Sequence, residues 1–311
     1  MSYDFTTLPY EIQFNYLLYL PVTDIANYCK ISTDATNICT DDAFWKAKVD
    51  HDFGVSQHKP ENITYQQQFL DLLRITDPNE AAEKGRMDIL VYLESQGKLP
   101  NVSAVDEAAT HGHLNILKWL DSKGIRRYSI VAYKAATYGY LNILEWLDSK
   151  GIPLNLSISN IALQYDNILN VISVPQQTID VLASRNGYLN ILEWLDSKGI
   201  HPNQDIARSA TLSGKINILE WLETKGFHFD QDTANTAVSY GKFNVLDWLA
   251  AKGILPELNA VEEAASFGYF DILEWLESKG FRFDQDTADY AKTHAYINIL
   301  KWLSAKGIYP H

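Results

Sequence analysis

The chain of 311 residues lacks most of what would bring a protein to phosphate, lipid or metal. Its 26 Lys and Arg stand against 39 Asp and Glu, a net charge of −13 with a pI near 5.0. The surplus of cations that draws proteins to a phosphate backbone is missing, so nucleic acid is not expected among its partners. There are two cysteines, Cys29 and Cys39, with no C-x-x-C pairing; this predicts neither a disulfide framework nor a zinc site, and a reducing compartment. No run approaches the roughly 18 apolar residues of a membrane span, and Met1 to Tyr10 carries no basic stretch leading into an apolar one. Neither membrane association nor export is expected, which leaves the cytoplasm or nucleus. Glycine-rich phosphate loops, a nucleophile elbow and a Ser/His/Asp arrangement are all missing, so the chain is expected to be no enzyme and to need no cofactor.

What the chain has is repetition. The run Ile-Leu-Glu/Lys-Trp-Leu recurs, and its tryptophans (Trp119, Trp146, Trp194, Trp221, Trp248, Trp275, Trp302) fall 27 residues apart at every step but one. Each repeat holds a glycine (Gly85, Gly112, Gly139, Gly187, Gly214, Gly241, Gly268), with Ala295 in that place in the last. Four residues earlier there is always alanine: Ala81, Ala108, Ala135, Ala183, Ala210, Ala237, Ala264 and Ala291. Small or β-branched residues often stand three or four positions before these, such as Ala104, Val105, Ala132, Ala207, Ala234 and Ala288. That spacing makes one stripe of a first helix on which neighbours approach closely. A second helix follows the glycine at once, as in Leu141 to Leu147, and ends at a Lys-Gly pair (Lys123, Lys150, Lys198, Lys225, Lys252, Lys279, Lys306). There the cation faces the negative helix end and glycine takes the left-handed position. Twenty-seven residues hold two helices of roughly ten residues and two short turns, so the fold class is all-α and the array an α-solenoid of helix pairs.

The segment Ala108 to Ile125, A-A-T-H-G-H-L-N-I-L-K-W-L-D-S-K-G-I, resembles the ankyrin repeat, whose helices carry G-H-L-x-V-V-x-x-L-L-x-x-G-A. Ankyrin repeats take about 33 residues; here the projecting finger is trimmed to a loop such as Phe227 to Asp232. The step from Trp146 to Trp194 takes 48 residues. Within it Ser157 to Tyr165 and Ile168 to Val174 read as a degraded helix pair, with Asp166 in the glycine's place and Pro175 ending the second helix. The expectation is a worn repeat, around 152–177, that still stacks. The array would then span 77–311 with about nine helix pairs, the first carrying Tyr92 in the tryptophan's place.

Residues 1–55 do not share this period. From Leu8 to Lys46 they read L-P-Y-E-I-Q-F-N-Y-L-L-Y-L-P-V-T-D-I-A-N-Y-C-K-I-S-T-D-A-T-N-I-C-T-D-D-A-F-W-K. Pro9 at a helix start, an apolar series at Ile12, Tyr16, Leu17 and Leu20, then Pro21 and Asp24 opening a second helix, predict a three-helix unit. It is too small to bury a sufficient core alone and leans on a linker helix within 56–76. The stretch resembles an F-box, through Leu8, Pro9, Glu11, Ile12, Leu17, Leu20, Asp24, Ile25, Cys29, Ser32, Phe44 and Trp45, and departs from it at Thr33 to Ala35. The resemblance implies that Leu8, Pro9, Ile12, Leu17, Leu20 and Ile25 dock a Skp-type adaptor within a cullin complex. An F-box joined to short ankyrin-like repeats is also similar to families encoded by large DNA viruses of amoebae, which would make host proteins the targets.

Specificity for a target protein would reside in positions that vary between repeats beside the turn glycine. These are Tyr133, Tyr138, Tyr140, Arg185, Tyr188, Arg208, Tyr240, Phe267, Tyr269 and Tyr290, since tyrosine concentrates contact area under a polar tip. Tyrosines next to the glycine could equally stack on their neighbours. His111 and His113 have no carboxylate or cysteine at ligand spacing, and Asp230-Gln231-Asp232 and Asp284-Gln285-Asp286 read as N-caps. Together these features predict the substrate-recognition subunit of an SCF-type ubiquitin ligase; the alternative is a non-catalytic scaffold or virion component whose N-terminal unit caps the solenoid. The tryptophans, too regular to encode a target, are expected in the core. Trp221→Ala should therefore cost about 3–5 kcal/mol, read by chemical denaturation; a variant as stable as the parent would rule that out.

Overall fold

A computed structural model describes residues 8–31, 33–157, 161 and 178–311. Their regular structure is helical apart from one isolated bridge between Ser157 and Thr178. The chain forms two compact units, residues 1–134 and 135–311.

The first unit opens with four short helices, one more than expected: α1 (Tyr10–Leu18), α2 (Val22–Tyr28), α3 (Thr33–Thr40) and α4 (Asp42–Asp52). Pro9 and Pro21 sit at the N-caps of α1 and α2, where a missing N–H costs nothing. Asp41 caps α4 by accepting from the Ala43 N–H at 2.8 Å. Leu17, Ile25, Ile38, Phe44 and Val49 form a core with at most 1% of their surface exposed. Buried Lys48 donates to Leu18 O at 2.5 Å and so closes the carbonyl end of α1. Cys29 and Cys39 are joined by a disulfide, with Cα atoms 5.9 Å apart. This corrects the expectation of no disulfide: the turn after α2 brings α3 back alongside it, which a spacing that matches no cysteine motif did not reveal.

Helix α5 (Tyr65–Arg74) falls within the 56–76 stretch expected to hold a linker helix and packs against this core through Phe69. A chain of rings, Phe14, Phe44, Trp45, Phe69 and Phe53, runs with centroids 5.3–5.4 Å apart and ends 5.0 Å from Tyr92 of the first repeat. That repeat is α6 (Pro78–Glu83) and α7 (Met87–Ser95). Arg86, in the turn between them, donates from Nε and Nη2 to the fully buried Asp88 carboxylate at 2.9 and 2.8 Å, and from Nη1 to Asp71 of α5. Each charge in this group is satisfied by the others, so removal of one would strand its partner in the interior. The pair α8 (Ser103–Thr110) and α9 (Leu114–Ser122) follows, and α10 (Tyr128–Tyr138) runs across the division into the second unit.

The second unit continues with α11 (Leu141–Ser149), then α12 (Ile179–Asn186) and α13 (Leu189–Ser197), α14 (Gln204–Ser213) and α15 (Ile216–Thr224), and α16 (Gln231–Ser239) and α17 (Phe243–Ala250). The last pairs are α18 (Ala260–Phe267) with α19 (Phe270–Ser278), and α20 (Gln285–Thr293) with α21 (Ile297–Ser304). The alanine four residues before each turn is fully buried in every repeat. Asp230 and Asp284 form capping boxes with Thr233 and Thr287, as their position in the loops predicted. Each second helix closes on its Lys-Gly pair, with the next N–H returning to a leucine carbonyl, as Phe281 N does to Leu276 O at 3.0 Å.

The tryptophans lie at the edge of this core. Trp146, Trp221 and Trp275 are buried and Trp119, Trp194, Trp248 and Trp302 half-buried. The lysine that ends each second helix lies over its own tryptophan, at 5.7 Å for Lys225 on Trp221 and 4.5 Å for Lys306 on Trp302. Where the preceding repeat supplies an acid the lysine also pairs with it: Lys225 with Asp196 at 2.7 Å, Lys252 with Glu223 at 2.8 Å, Lys306 with Glu277 at 2.6 Å.

At the turn glycines, two demands meet. Gly268 has φ of +75°, and a Cβ there would lie 2.7 Å from the Tyr296 ring, which the following repeat lays over it. The same contact settles the irregular stretch. Tyr188 covers Gly139 and Lys198 pairs with Asp148 at 2.8 Å, partners 50 residues apart where Lys225, Lys252 and Lys306 reach acids 29 residues before them. The Trp146 and Trp194 repeats are therefore direct neighbours along this edge, which corrects the expectation of a worn repeat stacked between them. Ser157 and Ile161 apart, the segments expected as the helices of that repeat lie outside the described residues.

Gly280 has φ of +90° but nothing within 4 Å of a Cβ. Gly280→Ala should cost about 1–2 kcal/mol for the left-handed backbone alone, and Gly268→Ala a further ~1–3 kcal/mol for displacing Tyr296. Equal costs in urea denaturation would show that the ring exerts no constraint.

Candidate functional site

Two surfaces collect the candidate residues. The first is the outer face of α1. Ile12, Tyr16 and Tyr19 are spaced four and three apart, one stripe of the helix, with 51%, 52% and 74% of their surface exposed. Pro9 beside them is exposed and Leu8 and Leu20 are half-buried. Leu17 and Ile25, expected to dock a partner with these, are instead wholly buried in the core of the unit. The physical reason is that Gln13 and Leu17 form the opposite stripe of α1, so one helix cannot offer both to the same partner. Gln13 donates to Leu8 O at 2.6 Å and accepts from the Tyr28 hydroxyl, fixing the chain that leads into the helix. Tyr16 and Tyr19 belong to the exposed face; their spacing from Ile12 was the signal that the motif match passed over.

Tyr10, on the same helix, donates its hydroxyl to Asp41. Burial, the hydrogen bond to Asp41 and the charges of Asp41 and Glu11 push its pKa up to about 12.

The second surface is the turn edge of the repeats. Where rings flank the glycine on both sides they lie against each other, Tyr138 tilted to Tyr140 at 6.2 Å and Phe267 stacked on Tyr269 at 5.7 Å between centroids. The ring after the glycine is the packed member: Tyr188, Tyr269 and Tyr296 cover the glycines of preceding repeats, and Tyr140, Tyr188 and Tyr269 are half-buried. The ring before it is open, with Tyr138, Tyr240 and Phe267 exposed by 44%, 52% and 51%. Tyr133, Arg185, Arg208 and Tyr290 lie elsewhere, on the outward rows of the first helices; Arg185 and Arg208 share a cleft with Val181 and Leu212. The ten candidates thus fall on two edges rather than one site.

His113 lies over Gly85 with Nε2 2.9 Å from Glu83 O, which accounts for it without a metal. Asp286, Asp289 and His311 form the one group of three possible ligands among the described residues. There the hydrogen bond from His311 holds the Asp289 carboxyl below its ordinary pKa, so the imidazole is already engaged. No helix among the described residues is long and apolar enough to cross a membrane.

No family model and no curated protein matches the chain. Among solved structures it is similar to the pentatricopeptide repeat protein PPR10 from maize, with a TM-score of 0.30 and 13% identity over 98% of this chain and 58% of that one. PPR10 in complex with an 18-nt psaJ RNA element gives a TM-score of 0.30 and 14% identity over 99% and 58%. The chain thus spans under two thirds of those proteins, and a likeness this weak assigns it no ligand. One expectation is nonetheless corrected on physical grounds. A charge summed over the whole chain does not describe the surface a helical array presents, and the exclusion of nucleic acid is dropped.

Because the raised pKa of Tyr10 favours its neutral form, its contribution to stability is complete below pH 10 and is lost as pH rises toward 12. Asp41→Asn keeps a good N-cap but removes the charge. It should move the Tyr10 midpoint part of the way back toward 10, read as the difference in ultraviolet titration from Tyr10→Phe; an unmoved midpoint would show that Asp41 plays no part.

Proposed function

We propose that this chain is the substrate-recognition subunit of an SCF-type ubiquitin ligase. The observation that carries this reading is the Ile12, Tyr16 and Tyr19 stripe, exposed on a helical unit whose own core is already complete. Large apolar side chains kept in water on a small unit mark a surface made for a partner. With the F-box resemblance of Leu8 to Trp45, that partner is a Skp-type adaptor. Leu8, Pro9, Ile12 and Leu20 contact it together with Tyr16 and Tyr19, while Leu17 and Ile25 lie in the core beneath.

The helix pairs hold a target protein. Their exposed rings offer contact area, and the regular stack keeps those rings at fixed positions. The chain contributes no reacting group; it raises the effective concentration of the target at a ubiquitin-charged enzyme, in the cytoplasm or nucleus of a cell that supplies the ligase.

The test is co-purification of the full chain with a eukaryotic Skp-type adaptor, beside Ile12→Asp/Tyr16→Ala. Both positions are more than half exposed, so the variant should keep its circular dichroism and melting temperature. The parent is expected to form a stable complex and the variant to lose at least about tenfold in affinity. If a folded parent fails to bind, the ligase reading falls and a non-catalytic scaffold replaces it.

A further inference from the structure

The C-terminal repeats concentrate acidic side chains beside exposed rings. Residues 230–293 hold twelve acids against five bases, so more than half of the net negative charge of the chain lies in this fifth of its length. Between α18 and α20 a cleft of about 240 Å³ is lined by Asn259, Glu262, Glu263, Ser266 and Tyr290. Glu263 is held in place by the Ser239 hydroxyl of α16, which donates to Oε1 at 2.6 Å. Glu262 is half-buried and makes no ion pair among the described residues. The Tyr290 ring forms the other wall, 41% exposed. Lys292 is turned to His311 O, and Asp289 to the His311 imidazole. Phe267 and Tyr240, each about half exposed, continue the aromatic surface along the turn edge, and Leu258 at the entrance to α18 is 83% exposed.

We propose that the α16, α18 and α20 face binds an extended basic segment of a partner protein, seating a lysine or arginine side chain between Glu262, Glu263 and the Tyr290 ring. This rests on the reading of the repeats as the target-holding part of the molecule, and it names the chemistry of the target. Charge complementarity selects the occupant: carboxylates beside an aromatic face suit a cation that pairs with the acids and lies on the ring. Packed helices stand about 8–10 Å apart, roughly the reach of three extended residues. A segment crossing the first helices would therefore present a basic residue at about every third position.

The test is fluorescence anisotropy of the full chain with a labelled peptide of Arg-Gly-Ser triplets, its Glu-Gly-Ser counterpart, and a single-stranded RNA of similar length. The arginine peptide is expected to bind and to weaken with added salt. Glu262→Gln/Glu263→Gln should lose about tenfold in affinity and Tyr290→Ala about threefold, whereas Asp271→Asn, on the exposed side of α19, should lose none. No binding of the arginine peptide, equal binding by parent and Glu262→Gln/Glu263→Gln, or preference for the glutamate peptide or the RNA would overturn the proposal. Ile12→Asp/Tyr16→Ala should hold the peptide as the parent does. Loss of adaptor binding with the peptide retained, or the reverse, thus separates the failure of one reading from that of the other.

Discussion

The array depends on a close approach that only a missing side chain permits. At the turn between the two helices of a repeat, the chain needs left-handed φ, and the following repeat lays a side chain directly over the Cα. Conformation alone does not demand glycine there. Ala295 holds the same place with φ of 58° and its Cβ exposed, the only non-glycine with positive φ among the described residues. At Gly139 a Cβ would stand 2.5 Å from the Tyr188 ring, and at Gly268 2.7 Å from Tyr296. Covering contacts of this kind set how far apart repeats can sit, and the fully buried alanines of the first helices fit the same spacing. Side chains larger than alanine at those positions would push the pairs apart.

A second tie runs along the opposite end of the helices. A lysine that ends one helix serves three purposes at once: it faces the carbonyl end of its own helix, covers its own tryptophan and reaches the acid of the preceding repeat. Each exposed ion pair contributes only a few tenths of a kcal/mol, up to about 1, so the ladder aligns repeats more than it stabilises them. Ala250 stands where an acid would meet Lys279, and the tie is broken at that step while the ring-over-glycine contact of Tyr269 on Gly241 persists. Of the two ties, the close approach is the one the stack does not do without.

Much of this was legible in the amino-acid order, because periodic features are local: the alanine stripe, the glycine turn and the Lys-Gly stop each follow from spacing. What was not legible depended on which neighbour a side chain meets. Phe267 and Tyr269 flank the same glycine, yet one is exposed and the other covers Gly241 of the preceding repeat, a distinction set by where that repeat lies. Leu17 and Ile12 both match a docking motif, but five residues of helix place them on opposite sides of α1. The disulfide and the Arg86, Asp71 and Asp88 group join residues whose pairing no motif announces. The acids that line the Tyr290 cleft were individually visible, and their convergence was not.

The direct stacking of the Trp146 and Trp194 repeats means that contour length and stacked length are separate quantities in this chain. Between those neighbours the polypeptide takes 48 residues where 27 suffice, and the ring, the glycine and the ion pair close as they do elsewhere. The junction therefore behaves as a port, a place where sequence can be added, exchanged or replaced by a whole domain while the repeats on either side keep their register.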